Sequence, residues 1–157
     1  MKREKALIYS DGASSGNPGR AGIGAVVTVG GRAHELSRFI GITTNNVAEY
    51  TALIAALEKA LGLGATEAEI FLDSELLVRQ INGVYKVRHE NLKPLFDKCV
   101  RLLGRFSRFT VRHIPREQNR HADALSKKGI KAGRTPASPG KPSGNSPDKP
   151  AGQQDLF

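Results

Sequence analysis

Only one cysteine, Cys99, occurs among the 157 residues, there is no tryptophan, and no run of apolar residues is long. A single cysteine excludes an internal disulfide and points to a reducing compartment. Cys99 stands in the apolar pattern of a predicted helix, which makes it a core side chain. No stretch approaches the roughly 18 apolar residues that span a bilayer. The apolar run near the N-terminus covers only Ala6 to Tyr9, too short for the central segment of a signal peptide. A soluble cytoplasmic protein with no membrane association is therefore expected. No internal repeat is evident. Acidic residues are in deficit, 15 against 24 Lys and Arg, which gives a formal net charge of +9 and a pI near 10.0. Such an excess suits a polyanionic partner, because clustered cations release counterions when they meet phosphates. It suits a solvated basic surface equally well, and charge alone does not choose.

The composition changes near Ile130. Residues 1–129 carry alternating and helical patterns and read as one domain, with apolar content sufficient for a core. Five of the eight prolines (Pro136, Pro139, Pro142, Pro147 and Pro150) follow Lys131, spaced by Gly, Ser and Lys. Residues 130–152 are therefore expected to be a disordered linker, with too little apolar surface to offset the entropy of ordering.

Within the domain, Lys5–Ser10 reads as a buried strand closed by the turn signal Asp11-Gly12. Ala21–Val29 reads as a second strand, Gly30-Gly31 as a hairpin turn, and Arg32–Gly41 as a third strand. Asn46, with Glu49 three residues on, forms a capping-box pattern. Val47, Tyr50, Ile54, Leu57 and Leu61 then keep helical spacing up to Gly62 and Gly64. A strand over Glu69–Asp73 follows, then a helix capped by Ser74, a helix over Asn91–Arg105, a strand over Phe109–Ile114 and a helix over Gln118–Lys128. Hairpins followed by helical crossovers predict an α/β domain: a five-stranded mixed sheet with helices on both faces.

Four carboxylates fall at telling places in this order. Asp11 ends the first strand and Asp73 the fourth, so adjacent parallel strands would set them side by side. Glu49 lies one turn into the crossing helix, and Asp123 near the start of the last. Each also has an ordinary reading: a turn residue, a capping-box residue, a helix cap, a solvated helix position. Together, in a basic chain, four converging carboxylates repel unless a cation neutralises them. An all-oxygen ligand set favours Mg²⁺ or Mn²⁺ over zinc. Two such ions can activate a water and stabilise a leaving oxygen in phosphodiester hydrolysis.

Four stretches in this order resemble the type 1 ribonuclease H family: DGASSGNPG from Asp11, TTNNVAEYTAL from Thr43, DSELLVRQIN from Asp73, and HIPREQNRHADALS from His113. The resemblance spans residues 4–129. It implies a ribonuclease H-like fold and an endonuclease that hydrolyses the RNA strand of RNA/DNA hybrids by two-metal-ion catalysis, leaving 5′-phosphate and 3′-hydroxyl ends. Two Mg²⁺ ions, with Mn²⁺ as substitute, would be held by Asp11, Glu49, Asp73 and Asp123. Asp11 would serve both ions, Asp73 the one that activates water, and Glu49 and Asp123 the one at the leaving oxygen. His113, ten residues before Asp123, matches a histidine that aids proton transfer or product release, and it also reads as a strand-end histidine facing water.

The resemblance further places Gly12, Asn17, Thr44, Asn45 and Asn46 against the hybrid, with the amides toward 2′-hydroxyls or base edges and Thr44 toward a DNA-strand phosphate. The same residues read otherwise as turn and cap residues. The chain departs from the family twice. Glu75, counted with the substrate-binding residues, stands where many relatives have Gln, and an acid there would repel phosphate or extend the acidic cluster. The basic, tryptophan-containing protrusion of the best-known bacterial members is replaced by the short Gly83–Glu90, with Tyr85, Lys86 and Arg88 as partial substitutes.

The chain finishes in Gln153, Gln154, Asp155, Leu156 and Phe157. This peptide resembles the one with which bacterial replication and repair enzymes dock on the sliding clamp, Leu156 and Phe157 filling an apolar pocket and Gln153 setting register. A frayed terminus with no partner is the alternative. Two other functions fit the domain: another nuclease of the same fold, such as a resolvase or exonuclease, and a non-catalytic nucleic-acid-binding module. The Thr43–Asn46 segment and the Gly-rich loop after Asp11 favour ribonuclease H over the first, and retention of all four acids disfavours the second. With no dimer surface evident, a monomer is expected.

Overall fold

The computed structural model describes residues 4–134. Strands β1 (Lys5–Gly16), β2 (Gly19–Val29) and β3 (Arg32–Thr43) form an antiparallel meander. Gly30 and Gly31 close its second hairpin, both at positive φ, as a two-residue turn of the right twist requires. Helix α1 (Asn45–Gly62) crosses to β4 (Glu67–Leu72), then come α2 (Glu75–Ile81), α3 (Lys93–Leu103), β5 (Arg108–His113), a 3₁₀ turn (Arg116–Gln118) and α4 (Arg120–Arg134). The sheet order is β3-β2-β1-β4-β5, with β1, β4 and β5 mutually parallel. This is the five-stranded mixed sheet expected from the element order.

Alternation along the strands divides the molecule into two packed layers. Ala6 and Ile8 of β1 and Ala25, Val27 and Val29 of β2 face α1 and α3, where they meet Tyr50, Leu53, Leu57, Cys99 and Leu103. The Cys99 thiol is fully buried, and burial pushes its pKa up to about 12, so it is an inert core group. Helix α4 lies on the opposite face, across β1, β2 and β3. It comes so close that a Cβ on Gly24 would stand 2.3 Å from the Ala122 carbonyl oxygen. No helix among the described residues is long and apolar enough to cross a membrane.

Three expectations are corrected. First, β1 does not stop at Asp11-Gly12. Its parallel pairing with β4 ends at Tyr9↔Phe71, but its antiparallel pairing with β2 continues through Asp11↔Gly24 and Gly12↔Ile23, and this hairpin overrides the local turn signal. Second, α1 is capped by Thr44, whose Oγ1 accepts a hydrogen bond from the Val47 N–H at 3.2 Å. Because β3 extends to Thr43, the helix starts at once, Asn46 falls inside its first turn, and the Asn46–Glu49 capping box does not form. Third, α4 runs on to Arg134 because Ile130 is buried, so residues 130–134 continue the domain rather than begin the linker. The rest of the linker and the terminal peptide 153–157 lie outside the described residues.

The Tyr50 hydroxyl, wholly buried, donates to Gln80 Oε1 at 2.6 Å and joins α1 to α2. Tyr50→Phe leaves that buried acceptor without its donor. A loss of about 1–2 kcal/mol in urea unfolding is expected; an unchanged midpoint would show that the bond contributes nothing net.

Candidate active site

The register of β1 on β4 sets the site. Asp11 and Asp73 each lie two residues beyond the last parallel pair, Tyr9↔Phe71, so they stand side by side where β4 ends. Helix α1 crosses over β1 at Gly12 and brings in Glu49. One carboxylate oxygen from each of Asp11, Glu49 and Asp73 lies within 4.8 Å of the others. Ser10, Leu72, Ser74 and Leu77 complete the cleft around them.

Asp123 is near this group but not in it. It lies close enough to Asp11 to help raise that carboxyl's pKa, while its own Oδ2 pairs with Lys127 Nζ at 3.2 Å, one turn along α4. The sequence expectation of four converging acids is thus met by three, with the fourth alongside Asp11 and turned partly toward a lysine.

Burial is the main reason the Asp11 carboxyl is pushed up to about 9. Repulsion from Asp73, the nearby Asp123 carboxyl and the charge of Glu49 add to it. Burial likewise lifts Glu49 to about 7, helped by Asp73 and opposed by a hydrogen bond from Ser74 and the charge of Arg116. Buried carboxylates in mutual repulsion bind a proton or a cation strongly. Three converging oxygen donors with no sulfur or imidazole among them fit a hard divalent cation.

The other expected residues are distributed around this centre. Gly12 is buried beneath α1, against the backbone of Ala48 and Glu49. On the β1–β2 turn, Asn17 Oδ1 accepts from the Asn45 N–H at 3.1 Å, and Asn45 Oδ1 accepts from the Ser14 N–H and Oγ–H, each at 3.0 Å. These bonds fix both amide oxygens and turn the NH₂ groups away from them. Thr44 caps α1, and Asn46 is half-buried in its first turn. His113 is exposed at the end of β5, close enough to Glu75 for its charge to be felt there. Glu75 is not part of the acidic group: it accepts from Arg79 Nε at 2.9 Å and Nη2 at 2.7 Å. Arg79 in turn lies 5.5 Å over the Tyr85 ring, so the added acid is neutralised and tied to the short α2–α3 connection. Gln153, Leu156 and Phe157 lie outside the described residues.

Two residues of the site escape a reading of the sequence. Ser74 was legible as a cap, and it does accept from the Leu77 N–H at 3.2 Å, but its link to Glu49 was not. Asn119, fully buried, donates to the Ser10 carbonyl at 3.0 Å and to Asp73 Oδ2 at 2.9 Å. Its signal was faint: an asparagine just before a helix reads as a cap.

The sequence matches the family described as reverse transcriptase-like over residues 9–129. It is 44% identical over 131 residues to a bifunctional protein of Mycobacterium tuberculosis, which is 82% of this chain; the match spans only 36% of that relative's length. It is 32% identical to a ribonuclease H of Syntrophus aciditrophicus, over 89% of this chain and 88% of that one. The structure of LC11 ribonuclease H1 in complex with an RNA/DNA hybrid, a protein isolated from compost, aligns with a TM-score of 0.77 at 46% identity, covering 83% of this chain and 99% of that one. Sheet order, the placing of the acids and these likenesses agree: the chain belongs to the type 1 ribonuclease H family.

Proposed function

We propose that this protein is an endonuclease that hydrolyses the RNA strand of RNA/DNA hybrids, leaving 5′-phosphate and 3′-hydroxyl ends. The observation that carries the reading is the meeting of Asp11, Glu49 and Asp73 within 4.8 Å at the end of β4. The LC11 enzyme, solved with a hybrid, supports the choice of substrate.

The residues that would hold two Mg²⁺ ions, or Mn²⁺ in their place, are Asp11 for both, Asp73 for one, and Glu49 with Asp123 for the other. When bound, such ions supply an activated water and a counter-charge for the leaving 3′-oxygen. The chain's own side chains do the rest. The NH₂ groups of Asn17 and Asn45, oriented by their bonded oxygens, donate to 2′-hydroxyls or base edges of the hybrid. Thr44 Oγ1 accepts from the helix, and its hydroxyl proton stays available to a DNA-strand phosphate. His113, exposed at the rim, takes up or returns a proton at its ring nitrogen. Tyr85, Lys86 and Arg88 line a groove at the α2–α3 connection and offer the second strand an aromatic and two cations.

The test is cleavage of a labelled RNA/DNA hybrid in Mg²⁺ and in Mn²⁺, with RNA/RNA, DNA/DNA and single-stranded RNA as controls. Cutting confined to the hybrid is expected. No cutting in either metal would remove the nuclease reading in favour of a binding module, and cutting of duplex DNA would favour a resolvase-like enzyme.

The terminal peptide supports a second proposal, that the protein works tethered to a bacterial sliding clamp. Gln153, Leu156 and Phe157 would dock, and residues 135–152 would act as leash, raising the local concentration of the domain near DNA. Capture by immobilised clamp is expected for the full chain and lost when 153–157 are deleted. Equal capture of both would sink the proposal.

A further inference from the structure

Asn119 stands between the 3₁₀ turn and α4, where a capping residue stands. Its carbonyl accepts the Asp123 N–H at 3.0 Å, the first bond of that helix turn. An asparagine there ordinarily folds its side-chain oxygen back onto the helix to satisfy a free N–H. This one does not. Its side chain is turned away from α4 and into the sheet, 1% exposed. Nδ2 donates to Asp73 Oδ2 at 2.9 Å and to the Ser10 carbonyl at 3.0 Å. A carbonyl oxygen only accepts, and so does an ionised carboxylate, so both hydrogens of the amide are committed and its orientation is determined. Oδ1 is buried with no hydrogen-bond partner. An apolar residue of the same size would spare the chain that buried acceptor, so it is the two donors that make asparagine the apt side chain here.

The three bonds reach three of the four acids. One falls on the Asp73 carboxylate itself, one on the residue immediately before Asp11, and one on the backbone of Asp123. The three acids sit on β1, on the end of β4, and on α4, and α4 touches β1 but has no comparable packing on β4. Asn119 is a direct hydrogen-bonded link between the end of β4 and the start of α4.

We propose that Asn119 is the positioning residue of the acidic centre: its amide holds one Asp73 oxygen still, so that the other is presented beside Asp11 and Glu49, and its backbone sets α4 so that Asp123 arrives alongside. The proposal deepens the metal-dependent reading and rests on it. Groups that orient a ligand set in this way typically change metal affinity by about tenfold to a hundredfold when removed.

The measurement is Mn²⁺ affinity by calorimetry, with no nucleic acid present, for the wild type, Asn119→Ala and Asn119→Leu, each well below its own melting temperature. Leucine keeps the volume and removes both donors. Weakening of Mn²⁺ binding by about tenfold or more in both variants is expected. A fall in melting temperature with affinity unchanged would overturn the proposal and leave Asn119 a brace of the fold. If neither variant folds, the wild type still decides. By NMR, both Asn119 amide protons should exchange slowly and shift as Mn²⁺ is replaced by diamagnetic Mg²⁺ in a titration; fast exchange or no shift overturns the role. Failure of the wild type to bind Mn²⁺ would overturn the metal-dependent reading itself, whereas wild-type binding matched by both variants removes only Asn119 from it.

Discussion

Asp11→Asn is expected to abolish hybrid cleavage, by on the order of a thousandfold or more, while making the metal-free protein more stable at neutral and alkaline pH. The two effects have one cause. Asp11 is the most buried of the four acids and is repelled by its neighbours, so in the folded, metal-free chain its carboxyl holds a proton up to about pH 9. In the unfolded chain the same group ionises near its ordinary value of 3.8. Between these limits the folded state binds more protons than the unfolded state, and stability must fall as pH rises. The fall is full-strength above the unfolded value and ceases above the folded one. Glu49 adds a similar fall between its ordinary 4.5 and about 7. The limiting slope is about 1.4 kcal/mol per pH unit for each proton retained. Asparagine resembles the protonated acid, so the variant escapes the Asp11 share of that decline. Melting temperatures of the two proteins in chelator should therefore converge near pH 4 and diverge toward pH 9, with the variant higher. Mg²⁺ should raise the wild type and raise the variant much less. A wild type whose metal-free stability rises from pH 5 to pH 8 would show that these acids are not held in mutual repulsion.

That arrangement was legible in the sequence to the extent that it depends on strand order. Pattern placed Asp11 and Asp73 near the carboxyl ends of two strands, and a parallel pairing of those strands sets the two acids level; the crossover helix α1 joins β3 to β4, so it is the observed register Tyr9↔Phe71 that fixes β4 beside β1. Glu49 followed from helical spacing once the helix was recognised. What was not legible depends on contacts between distant segments. The length of β3 is set by its pairing with β2, as far as Gly19↔Thr43, and this pairing gave the cap to Thr44 instead of Asn46. Asp123 was expected to converge with the others, but where its carboxylate lies depends on Asn119 before it and Lys127 after it. The Glu75–Arg79 pair is a different case. An acid four residues before a basic residue in a helix is a readable signal, and it explains how a glutamate is tolerated beside three other acids. The extension of α4 beyond residue 129 turned on Ile130 finding cover on the sheet, which composition could not reveal.

Gly12→Ala is expected to cost about 3 kcal/mol or more and to impair the site in whatever folds. A Cβ at Gly12 would lie 2.2 Å from the Ala48 carbonyl carbon, 2.3 Å from its oxygen and 2.5 Å from the Glu49 nitrogen. All three are backbone atoms of α1, so no side-chain rotation relieves the clash and the helix itself must move off the sheet. That movement opens the small-residue contact in which Ala48, Ala52 and Ala55 pack against Ala21, Ile23 and Ile40. It also carries Glu49 away from Asp11 and Asp73, because the displaced backbone is Glu49's own. The missing side chain at Gly12 is thus what lets α1 deliver its carboxylate, so stability and metal affinity should fall together. Gly31→Ala is the matched control. Gly31 has a positive φ of 78° and nothing within 4 Å of an added Cβ, so alanine there brings backbone strain of about 1 kcal/mol without touching the site. Urea unfolding and Mn²⁺ affinity of both variants decide the matter. A Gly12→Ala protein as stable as Gly31→Ala, with wild-type Mn²⁺ affinity, would mean that α1 has room to spare and that Glu49 is seated by something other than this close approach.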